Sequence, residues 1–162
     1  MPQTEEVQLH VDDDLKEQWD KYNSLKSKQA SLADFWGIKY IHVSRDKFVA
    51  KMPITDKIRQ PYGRLHGGAS VAFAETIASV AALFWIDIEK EGAVGLEINA
   101  NHVRPVGEGY IFGTGTPIHI GKKTQVWSVD IKDERGKLVC IFRCTVSIIP
   151  KDQGKPRNNS KL

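Results

Sequence analysis

The distribution of apolar residues along the chain predicts two helices of different character. Leu15, Trp19 and Tyr22 recur at helical spacing among polar residues, which predicts an amphipathic helix over about 12–30. From about 67 to 89, nearly every residue is small or hydrophobic. Because a helix that is apolar on all sides belongs in a core, we expect the second helix to be central and the first to lie on the surface.

Alternating apolar residues predict six strands, two before the long apolar helix and four consecutive antiparallel strands after it. This order predicts an α+β fold, in which an antiparallel sheet wraps around a long central hydrophobic helix. One curled sheet cannot cover such a helix on every side, so we expect the chain to dimerise. The strands are predicted over 36–42, 47–54, 93–104, 110–120, 124–132 and 138–149, with a hairpin turn at 133–136.

Composition and charge narrow the classes of function. A chain of 162 residues with 41% hydrophobic and 27% charged residues suits one globular domain. The net charge of +3 is too small and too dispersed for a nucleic-acid partner. The acidic start is not that of a signal peptide, and Glu75 and Asp87 interrupt the longest apolar stretch, so no membrane association is expected. We divide the chain into an N-terminal extension with the amphipathic helix (1–32), the main domain (33–150) and a disordered polar tail (151–162).

The two cysteines carry little functional information. On one strand, Cys140 and Cys144 would lie about 13 Å apart on the same face. That distance is beyond the reach of a disulfide. Reduced thiols and a cytoplasmic location are therefore expected.

Glu75 is the residue that packing does not explain. A carboxylate in a core helix is costly unless it is paired or used. Ser79 lies one turn further on the same face, and Gly67 begins the helix, where free N–H groups favour negative charge. Such N–H groups can stabilise an oxyanion, and the carboxylate can act as a nucleophile or general base, which together suit acyl transfer.

Each of these features also has a purely structural interpretation. Glu75 could be a structural carboxylate satisfied by a neighbouring hydroxyl or N–H group. Gly67-Gly68 could mark only the start of a helix, and His66 could be a structural histidine. The pair Lys122-Lys123 could be the solvated end of a hairpin, and Trp36, Tyr62, Phe84 and Trp85 could line an aromatic pocket or belong to the core.

Three long segments carry a resemblance to a known family. They read QPYGRLHGGASVAFAETIASVAA, VGLEINANHVRPV and PIHIGKKTQVWSVDIKDERGKLVC. From about 33 to 149 the chain resembles the hotdog-fold acyl-CoA thioesterases, in particular the group with 1,4-dihydroxy-2-naphthoyl-CoA hydrolase of menaquinone synthesis. That group is similar to one class of 4-hydroxybenzoyl-CoA thioesterases and to the phenylacetate-pathway thioesterases.

The resemblance implies a role for each residue of the motif. Glu75 would attack the thioester or activate water, and Ser79 would orient the carboxylate or the water. The N–H group of Gly67 would polarise the thioester carbonyl, while Gln60 and His66 would position the thioester and help the thiolate to leave. In the family this site lies across a dimer interface, with Glu75 and Ser79 from one subunit and the other three residues from its partner. The resemblance also implies a homodimer that assembles into a homotetramer.

The resemblance further implies a binding surface for coenzyme A, which is part of the substrate. Positive charge for the phosphates would come from Arg104, Lys122 and Lys123. The sequence Lys122-Lys123-Thr124 departs from the small residue, Arg and His that members often have there, and Pro105 also varies in the family. The residues expected to contact coenzyme A are Gly95, His102, Val103, Arg104, Pro105, His119, Ile120, Gly121, Lys122, Lys123 and Thr124.

The leading hypothesis is hydrolysis of an acyl- or aroyl-CoA thioester without metal or cofactor. His66, His102 and His119 do not have the spacing of a zinc site. One alternative is a hotdog dehydratase that acts on hydroxyacyl thioesters, although Glu75 lies further into the helix than that chemistry requires. Another is a non-catalytic acyl-CoA-binding protein, for which Glu75 would have no chemical role.

Overall fold

The computed structural model describes residues 8–25 and 31–151, in which one sheet packs against one long helix. The sheet order is β1-β2-β3-β5-β6-β7-β4, with β1 and β2 parallel and all other neighbours antiparallel. The α+β architecture is therefore confirmed. The strands are β1 (His10–Val11), β2 (Lys39–Val43), β3 (Phe48–Pro53), β4 (Glu91–His102), β5 (Tyr110–Ile120), β6 (Thr124–Asp133) and β7 (Leu138–Pro150); the helices are α1 (Lys16–Leu25), α2 (Leu32–Phe35) and α3 (Gly67–Leu83).

One side of α3 fills the concave face of the sheet. Phe73, Ile77 and Ala78 on this side are fully buried. The helix lies close to β5 because Gly113 and Gly115 carry no side chain, and a Cβ at Gly115 would lie 2.8 Å from Cγ2 of Ile77. The core between α3 and the sheet is therefore closed within a single chain.

Residues 8–25 and 31–151 cover the other side of α3 only in part. The partly exposed residues of this open face recur at helical spacing, which keeps them on one stripe. A helix that is apolar nearly all round thus has one face that the described residues leave partly exposed, and the dimer stays a prediction. The open face consists of Val71, Ala72, Glu75, Thr76, Ser79 and Leu83.

The four strands predicted after the long helix are present as β4 to β7, and all of their pairings are antiparallel. In the sheet, β5, β6 and β7 are neighbours in chain order, whereas β4 lies at the far side and, within the described part of the chain, pairs with β7 alone. Its other edge is open and exposes Val94, Leu96 and Ile98. The pairing shifts between Gly95 and Glu97, so a bulge at Leu96 interrupts the predicted alternation.

The prediction that α3 continues to 89 was wrong, since the helix ends at Leu83. The side-chain amide of Gln125 donates to the Ala82 carbonyl at 3.3 Å, and that of Gln18 donates to the Leu83 carbonyl at 2.9 Å. These bonds satisfy the last carbonyl groups of the helix. The apolar residues beyond Leu83, such as Phe84, pack on the core without extending the helix, which is why periodicity overestimated its length.

The N-terminal extension is integrated into the fold. β1 adds a parallel strand that the sequence did not reveal, and Leu15 is fully buried. The ring of Trp19 lies 5.6 Å from that of Tyr40 and 6.0 Å from that of Phe84. The predicted helix over 12–30 is observed as α1, while 26–30 and the predicted tail from 152 onward lie outside the described residues.

The observed strand boundaries agree with the predicted ones to within about three residues. One short helix was not predicted. The first predicted strand, 36–42, begins later because Leu32–Phe35 form α2, which starts with a capping box at Ser31. No helix in the described part of the chain is long and apolar enough to cross a membrane.

Candidate active site

A tight loop presents the N-terminus of α3. Gly63 adopts a φ of +75°, and its N–H group donates to the Gln60 carbonyl at 2.9 Å. The side-chain oxygen of Gln60 accepts from the Tyr62 N–H group at 2.6 Å. This bond occupies the amide oxygen, so the NH₂ group of Gln60 is the part that can donate to a ligand.

His66 caps α3. Its Nδ1 atom accepts from the Gly68 N–H group at 2.9 Å. Because Nδ1 accepts this bond, the ring proton of the neutral imidazole is assigned to Nε2, and the exposed side chain can offer it as a donor. The Gly67 N–H group has no acceptor among residues 8–25 and 31–151. The helix start therefore presents one unpaired donor, the Gly67 N–H group, at the positive end of the helix dipole.

His102, at the end of β4, lies beside this helix start. A Cβ at Gly67 would lie 3.0 Å from Nε2 of His102. A cavity of about 390 Å³ opens there. It brings together two residues predicted for catalysis and one predicted coenzyme A segment: it is lined by Gln60, Gly67, His102, Val103, Arg104 and Pro105, with Arg64, Leu65, Ser70, Val106 and Val139.

Glu75 lies about two turns further along α3 than this cavity. The expectation of a buried core carboxylate was wrong, because the side chain lies on the open face of α3 and is partly exposed. Its carboxylate points to β4, where a Cβ at Gly95 would lie 2.5 Å from Oε1. Gly95 was predicted to contact coenzyme A; in this chain it makes room for Glu75. Ser79 follows one turn later and is also partly exposed.

The two halves of the predicted catalytic set do not meet within one chain. Gly67 and Glu75 are eight residues apart on α3, which corresponds to about 12 Å along the helix axis. A reacting carbonyl must lie about 3 Å from both the oxyanion donor and the nucleophile. A single chain therefore carries Glu75 and Ser79 in one place and Gln60, His66 and Gly67 in another.

The predicted coenzyme A residues also form two groups. His102 pairs with Cys140 and Thr124 with Ser147, so seven residues of β7, or about 23 Å, separate the two segments. Segment 119–124 lies at the turn between β5 and β6, where Lys122 and Lys123 are exposed. His119 stands over Gly121 in this turn, since a Cβ there would lie 2.7 Å from Nε2 of His119. Ile120 packs against the core.

The cysteines are buried and free on β7. Burial raises the pKa of the Cys144 thiol to about 11, and the negative charges of Glu75 and Glu97 contribute further. Burial also raises the pKa of Cys140. Both groups are therefore neutral thiols at physiological pH, and neither is an activated nucleophile.

Two arginines that were not predicted from the sequence lie near the helix start. Arg64 lines the cavity beside Gln60 and Gly67. The Nε atom of Arg59 is buried and has no partner in the described segments, while its guanidinium pairs with Asp56 at 2.6 Å. Both arginines lie within ten residues before the start of α3, and this position in the sequence could have indicated that they are close to the site.

Of the four aromatic residues for which a pocket and the core were both left open, Trp36 and Phe84 pack in or against the core. Phe84 is buried in the core, whereas Tyr62 is 90% exposed on the loop before α3. The Trp85 ring faces the guanidinium of Arg45 on the surface. Among the residues described, no three His, Cys, Asp or Glu side chains are grouped so that they could hold a metal ion.

The chain is similar to known proteins. A model of the thioesterase superfamily matches residues 62–140. The 1,4-dihydroxy-2-naphthoyl-CoA hydrolase of Escherichia coli is 44% identical over 121 residues, which cover 75% of this chain and 88% of the relative. The chain belongs to the thioesterase superfamily.

Solved structures of superfamily members have the same fold. A thioesterase of Haemophilus influenzae matches with a TM-score of 0.73 and 43% identity, covering 81% of this chain and 90% of that one. A Staphylococcus aureus thioesterase matches with a TM-score of 0.73 and 40% identity, covering 74% of this chain and 99% of that one. It was solved as two variants, in which a glutamate and a glutamine are each replaced by alanine. The predicted hotdog fold is thus confirmed, and the protein is a thioester hydrolase.

Proposed function

We propose that this thioesterase hydrolyses an acyl-CoA thioester to the free acid and coenzyme A, with the Glu75 carboxylate as nucleophile or general base. The observation that carries the proposal is the position of this carboxylate, which lies on the open face of α3 against Gly95. No cation among the described residues forms an ion pair with it. The carboxylate is thus available to a substrate.

The chemistry requires few groups. The carboxylate attacks the thioester carbonyl, or removes a proton from the water that does so, and the Gly67 N–H group stabilises the oxyanion. The C–S bond then breaks, and the Nε2–H group of His66 would stabilise the departing thiolate. If Glu75 attacks directly, water hydrolyses the resulting anhydride and restores the carboxylate.

We infer that two subunits build each site. The helix N-terminus and Glu75 are about 12 Å apart in one chain, so the oxyanion donor must come from a partner. Antiparallel pairing of two β4 edges about a two-fold axis between Ile98 and Asn99 would set Gly95 opposite the partner's His102. Since Gly95 adjoins Glu75 and His102 adjoins Gly67, this register brings Glu75 to the partner's Gly67. The exposed apolar residues of β4 give the pairing a hydrophobic contribution.

The same pairing reunites the two groups expected to bind coenzyme A. The segment at Lys122-Lys123 lies two strands from the start of β4. In the dimer, the start of β4 adjoins the end of the partner's β4, and therefore the partner's Arg104. Basic side chains from both subunits would then surround one set of phosphates. Assembly of dimers into a tetramer stays a prediction.

The Staphylococcus aureus thioesterase supports the choice of Gln60 and Glu75. Its substituted glutamine and glutamate are separated by the same number of residues as Gln60 and Glu75. The acyl group is proposed to be an aromatic acid, as in the 1,4-dihydroxy-2-naphthoyl-CoA hydrolase of Escherichia coli. For such a substrate, the tripeptide Lys122-Lys123-Thr124 would contact only the coenzyme A part.

The test measures free thiol released from aromatic and aliphatic acyl-CoAs. Turnover on these substrates supports the proposal. Hydration of an enoyl-CoA without thiol release would instead establish a dehydratase, and tight binding of acyl-CoA without either reaction would establish a binding protein.

A further inference from the structure

The imidazole of His102, the last residue of β4, lies against the start of α3. A Cβ at Gly67 would lie 3.0 Å from Nε2 and 3.3 Å from Cε1 of this ring. Among the described residues that line the adjoining cavity of about 390 Å³, His102 is the histidine, and it shares the cavity with Gln60 and Gly67. His102 therefore brings an imidazole to the edge of the proposed oxyanion site.

His102 and Gly95 lie on the same face of the sheet. His102 pairs with Cys140, and Gly95 pairs with Val146. Both of these β7 residues are fully buried, which places them on the side that α3 covers. Because directly paired residues of antiparallel strands project to one face, His102 and Gly95 are on that side too. The Glu75 carboxylate lies over Gly95, so the imidazole and the carboxylate stand on one face, towards opposite ends of β4.

The Glu75 carboxylate has no cationic partner in its own chain. None of the ion pairs among the described residues includes Glu75. His102 of the same chain is too distant, because the seven residues from Gly95 to His102 span about 23 Å of strand. A catalytic group must be held to within about 0.5 Å of its productive position, and a donor from a second chain can do this.

We propose that His102 is a positioning residue that donates a hydrogen bond to the Glu75 carboxylate of the partner subunit. This inference rests on the proposed function and on its pairing of two β4 edges, which sets Gly95 opposite the partner's His102. Opposite residues in antiparallel strands have Cβ positions about 5 Å apart. The carboxylate already fills the space of a Cβ on Gly95, so a ring nitrogen of the partner's His102 can reach it. A hydrogen bond to a charged carboxylate is about twice as strong as one between neutral groups.

The same imidazole then contacts both halves of one site. It touches Gly67 in its own chain and Glu75 across the interface, so it fixes the distance between the oxyanion donor and the carboxylate. The reacting carbonyl must lie about 3 Å from both groups. Since a misplacement of about 1 Å can cost about a hundredfold in rate, loss of the imidazole should lower kcat by about tenfold to a hundredfold. A side chain that only bound coenzyme A would affect KM and leave kcat unchanged.

The first test determines kcat and KM of His102→Ala by thiol release from an acyl-CoA that the wild type hydrolyses. His102 is exposed in the single chain, so its replacement leaves the core intact. The control is Asn101→Ala, because Asn101 is also exposed but pairs with Ile141 on the opposite face of the sheet. We expect kcat to fall in His102→Ala and to match the wild type in Asn101→Ala, with equal melting temperatures. An unchanged kcat in His102→Ala overturns the proposal, and a higher KM alone would establish that the residue only binds coenzyme A.

The second test is subunit mixing, which shows on which carboxylate His102 acts. A mixed dimer of His102→Ala and Glu75→Gln keeps one intact site, since the functional Glu75 of one subunit meets the functional His102 of the other. Random mixing of equal amounts should therefore restore about a quarter of the wild-type activity. His102→Ala and Gln60→Ala damage the same half of each site, so their mixture should gain nothing. Any other pattern overturns the proposal.

The failure of this proposal can be told apart from the failure of the proposed function. If the wild type releases no thiol from any acyl-CoA, the proposed function fails and the role of His102 fails with it. If the wild type releases thiol and Glu75→Gln is impaired, but His102→Ala keeps the wild-type kcat, the proposed function stands and only the role of His102 is wrong.

Discussion

The carboxylate of Glu75 occupies the space that a side chain on Gly95 would need. A Cβ at Gly95 would lie 2.5 Å from Oε1 and 3.6 Å from Cδ of Glu75. The fold can tolerate an added methyl group here, because the atoms it meets belong to the end of a flexible side chain. The carboxylate itself would have to move.

Gly95→Ala is therefore expected to reduce activity without unfolding the protein. A displacement of about 1 Å can cost on the order of a hundredfold in rate, so we expect kcat to fall by about tenfold to a hundredfold. Steady-state thiol release measures the loss, and thermal unfolding verifies the fold. The matched control is Gly92→Ala on the same strand, where a Cβ meets no atom within 4 Å. Equal activities of the two variants would contradict the role of Gly95.

His66 is expected to have two separable roles. His66→Asn keeps a good helix cap but removes the Nε2 donor, so activity should fall while stability stays nearly unchanged. His66→Ala removes both, and we expect it to lose about 1 kcal/mol of unfolding free energy in addition. Urea unfolding measures the stability of both variants, and thiol release measures their activity. An inactive but equally stable alanine variant would show that the cap seen at Gly68 contributes nothing.

The sequence predicted the long helix and most strand boundaries, because periodicity reports which face of an element is buried. It did not predict that β4 pairs with β7, since alternation identifies a strand without identifying its neighbour. It extended α3 to 89 because residues such as Phe84 are as apolar as the helix. It also missed β1, whose two residues are too few to show a period.

For the candidate site, the sequence motif predicted which residues belong to the site but not the distances between them. The sequence put Gly67 and Glu75 on one helix, and the 12 Å between them follows from helix geometry. The burial of Glu75 was misjudged because the sequence does not show which face of α3 the sheet covers. The contact between Glu75 and Gly95 depends on tertiary structure, so no local pattern could have revealed it.

Mixing inactive subunits is expected to restore activity. Glu75→Gln and Gln60→Ala damage opposite halves of a shared site, so a mixed dimer keeps one intact site of its two. Random mixing of equal amounts should therefore restore about a quarter of the wild-type activity. Co-expression or joint refolding, followed by thiol release, measures it. Activity no higher than that of either variant alone would contradict a site built from two subunits.

The native protein is expected to resist thiol modification. The Cys144 pKa is raised from 9.0 to about 11, and burial also raises that of Cys140, so both thiols are protonated and inaccessible at pH 8. An alkylating reagent should label neither cysteine in buffer and both in urea, as measured by mass spectrometry. Rapid labelling of the folded protein at pH 8 would contradict their burial.

The most direct test of the account compares wild type, Glu75→Gln and Glu17→Gln by thiol release from the best acyl-CoA substrate. Glu17 is an exposed glutamate on α1, far from the proposed site, and controls for loss of a charge. We predict that Glu75→Gln loses about a hundredfold or more in kcat with an unchanged melting temperature, while Glu17→Gln matches the wild type. A Glu75→Gln enzyme with near-wild-type turnover would contradict the role of this carboxylate in the reaction.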